Sequence, residues 1–135
     1  MSAWIVSKTH VAAIVRFAMR NTYTQATIRD LGYENAATML YAENVTSVNH
    51  RYADQTPDEP VAFTYREIDR APDLSPVECI KAVDCLEYQS CEHPGWKESR
   101  ARKLLDAIRG AAISKLPGYK AAPWGIDDEP ARKEA

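Results

Sequence analysis

Residues 84–96 (DCLEYQSCEHPGW) crowd two thiols, one histidine, three carboxylates and two aromatic rings into a helix-like stretch that runs into Pro94-Gly95. Three kinds of chemistry could use such a set: a metal site, a cysteine nucleophile with a histidine base, or a polar network that fixes the fold. A structural zinc site shows paired ligands two to four residues apart, twice over. Cys79, Cys85 and Cys91 are instead spaced by six, which on a helix turns neighbours about 120° away from facing each other. Cys91-Glu92-His93 is locally close, with His10 and His50 as the next candidates, so no complete ligand set emerges. Cys79 and Cys85 read as small apolar fillers. A reactive cysteine favours a helix N-terminus, whose dipole stabilises the thiolate. Cys91 falls at a C-terminus, where the dipole opposes ionisation. His93 suits that end, as a cap on the last free carbonyls. The expectation is therefore no catalytic residue, no metal and no cofactor.

The fold-fixing alternative draws in a second helix. Asn44 and Arg51 interrupt its apolar stripe, seven residues apart and so on nearly one azimuth. Glu87 and Ser90 intrude on the stripe of the helix holding the cysteines. A polar group facing a core needs a partner or costs about 1–3 kcal/mol. Arg51 is thus expected to meet Glu87 in a bidentate pair, with Asn44 or Ser90 completing a structural network.

Four helices must position these groups. Ser7 offers an N-cap to residues 8–20, where Val11, Ile14, Val15 and Ala18 recur at helical spacing. Residues 35–51 carry Ala37, Leu40, Tyr41, Val48 and Tyr52 along one stripe. Ser75-Pro76-Val77-Glu78 combines N-cap, first-turn proline and capping-box glutamate, with Leu74 and Cys79 at the two positions of a hydrophobic staple. That helix should run to about Cys91. Residues 97–115 hold the clearest stripe: Ala101, Leu104, Leu105, Ile108, Ala111 and Ala112. Residues 2–6 and 61–65 are β-prone and could pair as a minor two-stranded ribbon, marginal unless laid on the helices. The fold class is mainly α: a single helical domain over residues 1–118, then a proline-containing charged tail over 119–135, where Trp124 could dock back on the body.

The 135 residues are enough for one core without disulfides or metal. With 17 basic and 19 acidic side chains the formal charge is −2, without the basic excess that duplex binding usually brings. No apolar run reaches the roughly 18 residues of a membrane span, and the start lacks a signal peptide's pattern. Three clustered cysteines suit a reducing compartment, so a cytoplasmic protein is expected. Lys97, Arg100, Arg102, Lys103 and Arg109 spread round most of the fourth helix's polar face, interrupted by Glu98 and Asp106, as a solvated face would be. Tyrosines are more numerous than a core needs, and tyrosine and tryptophan favour interface hot spots. The expected binding residues are Tyr88, Gln89, Glu92, His93, Trp96, Asn49, His50 and Tyr52.

Residues 2–10 (SAWIVSKTH), 43–52 (ENVTSVNHRY) and 88–96 (YQSCEHPGW) together resemble a group of short proteins encoded by bacteriophages and mobile elements of proteobacteria. The resemblance covers about the first 110 residues and brings no catalytic residues that could be transferred. It implies a context, that of accessory factors which bind and block a host machine, anti-CRISPR and other anti-defence inhibitors among them. The function expected is a small non-enzymatic interaction protein that binds a host protein complex, with no membrane partner and with self-association into a small homo-oligomer left open. The rival readings are a small hydrolase or metal-binding protein built on His50, Cys91, Glu92 and His93, and a nucleic-acid-binding helical bundle using residues 97–109.

Overall fold

The structure, a computed structural model, describes residues 4–21, 28 and 30–118. The tail expected over 119–135, with Trp124, lies outside these residues. The described chain is mainly helical: α1 (Lys8–Met19), α2 (Tyr33–Tyr52), α3 (Tyr65–Asp69), α4 (Pro76–Ser90) and α5 (Arg100–Ile113), with a 3-10 turn at Trp96–Glu98.

α1 is the central helix. Ser7 starts it as expected, its hydroxyl accepting from the His10 amide at 3.1 Å. Eight of its twelve residues are buried, because it touches each of the other four helices. A helix apolar nearly all round belongs in the middle of a bundle. Its one buried cation, Lys8, donates to the Ala62 carbonyl at 2.8 Å and pairs with Glu67 at 2.9 Å, over the face of Phe63. Burial of an ammonium demands such partners.

α4 begins at the predicted capping box, with Ser75 and Glu78 exchanging side-chain and backbone bonds. The same grammar starts α3, where Thr64 and Glu67 form a second capping box. α4 and α5 pack antiparallel through Cys79, Ile80, Val83 and Leu86 on one side and Leu104, Leu105, Ile108 and Ala112 on the other.

Two expectations about the fold need correction. No strand forms among the described residues, so the ribbon is absent there. The reason is competition for the backbone. The Val6 amide donates to Asn44 Oδ1 at 3.1 Å, the Phe63 amide donates to Thr38 Oγ1 at 3.1 Å, and the Ala62 carbonyl is taken by Lys8. Side chains of α1 and α2 thus occupy groups a ladder would have used, and Tyr65 already belongs to α3. The last helix also starts at Arg100 rather than Lys97. Ser99 is its N-cap, accepting from the Ala101 amide at 3.0 Å. Gly95 at φ 76° supplies a left-handed turn that only glycine adopts cheaply, and the 3-10 turn after it swings Trp96 into the core.

Candidate functional site

α2 outruns the core it packs on. Ser47 and Val48 are buried, whereas Arg51 and Tyr52, one turn later, overhang the end of the bundle. Two other segments, the N-terminal one and the end of α4, meet them there. Trp4, from the N-terminal segment, stacks on Tyr52 with ring centroids 4.7 Å apart and planes 17° from parallel. The Arg51 guanidinium lies 5.9 Å from the Tyr52 ring centre and 5.7 Å from that of Tyr88, on the last turn of α4. Glu92, just past α4, places Oε2 3.7 Å from Arg51 Nη2. The result is a continuous strip in the order Trp4, Tyr52, Arg51, Tyr88. Of the four large apolar side chains exposed among the described residues, Trp4, Tyr52 and Tyr88 belong to it, with Tyr88 65% exposed; the fourth is Tyr65.

Buried polar groups hold each segment in place. Asn44 anchors the N-terminal segment through the Val6 amide. Ser47 Oγ accepts from the Glu92 amide at 3.0 Å, fixing the chain where it leaves α4. Asn49 accepts from the Gln55 amide and so closes the turn after Tyr52. In that turn Ala53 and Asp54 both adopt positive φ, 58° and 55°, a conformation that costs a non-glycine residue of order 1 kcal/mol or more. The Arg51 guanidinium is held above its ordinary pKa, first by the Tyr52 hydroxyl and then by Glu92, against the opposing effect of partial burial. Its charge is therefore permanent at any physiological pH.

The residues read from sequence divide accordingly. Tyr52, Tyr88 and Glu92 line the strip with Arg51, and Asn49 braces it. His50 is exposed and Gln89 half-buried. Trp96 is not a surface residue but a core one. His93 faces inward, Nδ1 lying 3.8 Å from Glu43 Oε1, an oxygen that also accepts from Ser99 Oγ at 2.6 Å.

The expected pair of Arg51 with Glu87 is not the one formed. Arg51 sits at the overhanging end of α2 and finds Glu92. Glu87 looks the other way, toward α5, and accepts from Arg109. That guanidinium also donates to Asp84 at 2.9 Å and to Asp106 at 2.9 Å. Asn44 and Ser90 are buried as expected, yet among the described residues Asn44 Nδ2 and Ser90 Oγ have no hydrogen-bond partner, so they do not complete a network with Arg51. Sequence reasoning missed Arg109 by placing it on a solvated face. The signal was present in two i,i+3 pairs, Asp84 with Glu87 and Asp106 with Arg109. It also missed Trp4 as a partner of Tyr52, a contact between distant segments that periodicity does not encode.

The reactive groups are dispersed. Cys91 directs its thiol to the Tyr88 carbonyl at 3.3 Å, away from the inward-facing His93. Cys79 is buried, and burial pushes its thiol up to about 12. Among the described residues no three histidine, cysteine, aspartate or glutamate side chains gather as metal ligands. A groove of about 360 Å³ lies elsewhere, between α1 and α3, lined by Lys8, Phe63, Arg66, Glu67 and Arg70 among others. It holds neither cysteine nor histidine, and its buried cation is already neutralised by Glu67. On α5, Arg109 and Arg102 are both engaged with carboxylates, which thins the basic face available to a nucleic acid. No helix among the described residues is long and apolar enough to cross a membrane. No known protein family, no curated protein and no solved structure matches this chain.

Proposed function

We propose that this chain is a non-enzymatic interaction protein that docks a macromolecular partner on the Trp4–Tyr52–Arg51–Tyr88 strip. One observation carries the reading: three exposed aromatic rings and one arginine, drawn from three separate segments, are contiguous. Tryptophan, tyrosine and arginine are the residues on which interface energy concentrates. An aromatic ring left in water at such a place gains most when a partner covers it. Buried Asn44 and Ser47 spend hydrogen bonds on fixing the segments that flank the strip, as a preorganised surface requires.

The resemblance of residues 2–10, 43–52 and 88–96 supplies the context we favour. All three segments contribute to this one end of the bundle, through Trp4, through Arg51 and Tyr52, and through Tyr88 and Glu92. In that context the protein is of phage or mobile-element origin, acts in the bacterial cytoplasm and blocks a host defence complex in the manner of an anti-CRISPR.

Two measurements test this. Tagged protein is used to capture complexes from lysate of a proteobacterium with an active CRISPR system, alongside Tyr52→Ala/Tyr88→Ala protein shown by circular dichroism to be folded. The same two proteins are expressed in that host and phage plating is counted. The expected result is one defence complex captured, and plating restored, by the parent protein alone. Unchanged plating with the parent protein rejects the anti-defence role. Capture that survives loss of both tyrosines rejects the strip.

A further inference from the structure

The strip says more about its occupant than that it is a macromolecule. Arg51 has five N–H donors in a planar fork, more than its contact with the Tyr52 hydroxyl can occupy. Its one ionic neighbour, Glu92, approaches a single nitrogen at 3.7 Å, beyond hydrogen-bond distance. The guanidinium is nevertheless half-buried and held between two tyrosine rings. A fixed, charged fork with donors to spare matches one chemistry best, a carboxylate received in bidentate fashion. Because the rings already restrict the side chain, little rotamer freedom is left to lose on binding.

We infer that the partner offers an acidic peptide segment: a carboxylate for Arg51, with a proline or aromatic ring alongside to cover Tyr52 and Tyr88. This rests on the interaction reading above and specifies its partner. Charge argues for a peptide carboxylate over a phosphodiester backbone. Polyanion binding needs several cations acting together, and here one arginine stands beside Glu92 on a chain of formal charge −2. A basic segment seeking Glu92 would have to approach the permanent cation of Arg51.

The probe is a phage-displayed library of random 12-residue peptides selected on the parent protein. Selected peptides are then synthesised and titrated by fluorescence polarisation, beside a labelled twelve-nucleotide oligothymidine at physiological salt. The variants are Arg51→Gln, Arg51→Lys, Glu92→Gln and Tyr52→Ala/Tyr88→Ala, each first shown to melt cooperatively.

Selected peptides are expected to carry Asp or Glu next to proline or an aromatic residue. Arg51→Gln should weaken them about tenfold or more, and Arg51→Lys, which keeps charge but loses the fork, should restore little of that. Glu92→Gln should tighten binding up to about fivefold by removing a nearby like charge. Peptides that need both tyrosines but ignore Arg51, or that Glu92→Gln weakens, overturn the carboxylate inference and leave the interaction reading standing. Oligothymidine binding that Arg51→Gln abolishes assigns the strip to single-stranded nucleic acid instead. If no selected peptide depends on Tyr52 and Tyr88, the strip itself is not a binding surface and both readings fall.

Discussion

Arg109 donates through Nε to Asp84 Oδ1 across 2.9 Å and reaches Glu87 and Asp106 with its remaining nitrogens, so one cation from α5 holds two carboxylates of α4 and one of its own helix. The Asp84 side chain is only 7% exposed. Removing one partner of a buried pair leaves an uncompensated charge, which costs far more than the pair contributes. Arg109→Met should therefore lower unfolding free energy by about 3 kcal/mol, read from urea denaturation. Asp84→Asn added to that variant should recover a large part of the loss. Equal stability of the single and double variants would show that Asp84 is not the charge at stake.

Acid stability follows from three carboxylates held below their ordinary range. Asp73 is lowered first by its hydrogen bond from Arg16, Glu67 first by Lys8, and Glu78 first by the Ser75 backbone amide. A folded-state pKa below the unfolded value means the folded protein releases its proton more readily. The stabilisation is then complete above the unfolded values, about 4 for these side chains, and is lost as pH falls through the depressed folded ones. Urea midpoints should hold steady from pH 7 to pH 5 and decline below pH 4. Glu67→Gln and Asp73→Asn should each start lower at pH 7 and decline less steeply. A decline as steep as the parent's in both variants would place the acid sensitivity elsewhere.

The two described tryptophans should separate structure from surface. Trp96 fills the core behind the Gly95 turn, so Trp96→Ala should cost about 3–5 kcal/mol, as large-to-small core changes do. Trp4 contributes an exposed stack on Tyr52, for which about 0.5–1.5 kcal/mol is expected. Thermal melts of the two variants settle the ranking. A Trp4→Ala loss as large as that of Trp96→Ala would make the strip part of the core and remove the reason to treat it as a docking surface.

Much of this architecture is legible in the chain. Ser7, and the Ser75 capping box with Pro76, mark helix starts because caps are local chemistry, decided within four residues. Thr64-x-x-Glu67 follows the same rule, yet the β-branched and aromatic residues around it read as a strand. What decided the matter was Asn44, Thr38 and Lys8, reaching from α2 and α1 to claim backbone groups. The site divides in the same way. That Arg51 and Glu87 are polar intrusions on apolar stripes is visible from spacing, and both are indeed ion-paired. Which carboxylate each guanidinium meets depends on how far α2 overhangs α4, a tertiary quantity that no window of sequence contains. Trp96, expected among the binding residues, is instead folded inward by the 3-10 turn after Pro94-Gly95, where it packs against the core.

Thiol chemistry offers a check independent of binding. Cys85 and Cys91 are exposed, whereas Cys79 is buried with its thiol pushed up to about 12. Reaction needs an accessible thiolate. Native protein should therefore release two equivalents of thionitrobenzoate from Ellman's reagent at pH 8, and a third only in denaturant. Three equivalents from the native protein would mean that the α4–α5 seam opens on the timescale of the assay.

Asn44 links the core to the strip. It is fully buried on α2, and its Oδ1 receives the Val6 amide at 3.1 Å, two residues from Trp4. Asn44→Ala leaves that amide without its acceptor and should cost about 1–3 kcal/mol. The more telling consequence is positional, because the N-terminal segment would lose its tether and Trp4 its fixed approach to Tyr52. In protein labelled with 5-fluorotryptophan, the Trp4 resonance should move toward the free amino acid's shift in Asn44→Ala, while that of Trp96 stays in place. The partner affinity of Asn44→Ala should then fall toward that of Trp4→Ala, although Asn44 never reaches the surface. A Trp4 resonance indifferent to the substitution would mean that ring stacking alone holds the segment, and that the buried asparagine serves stability without shaping the site.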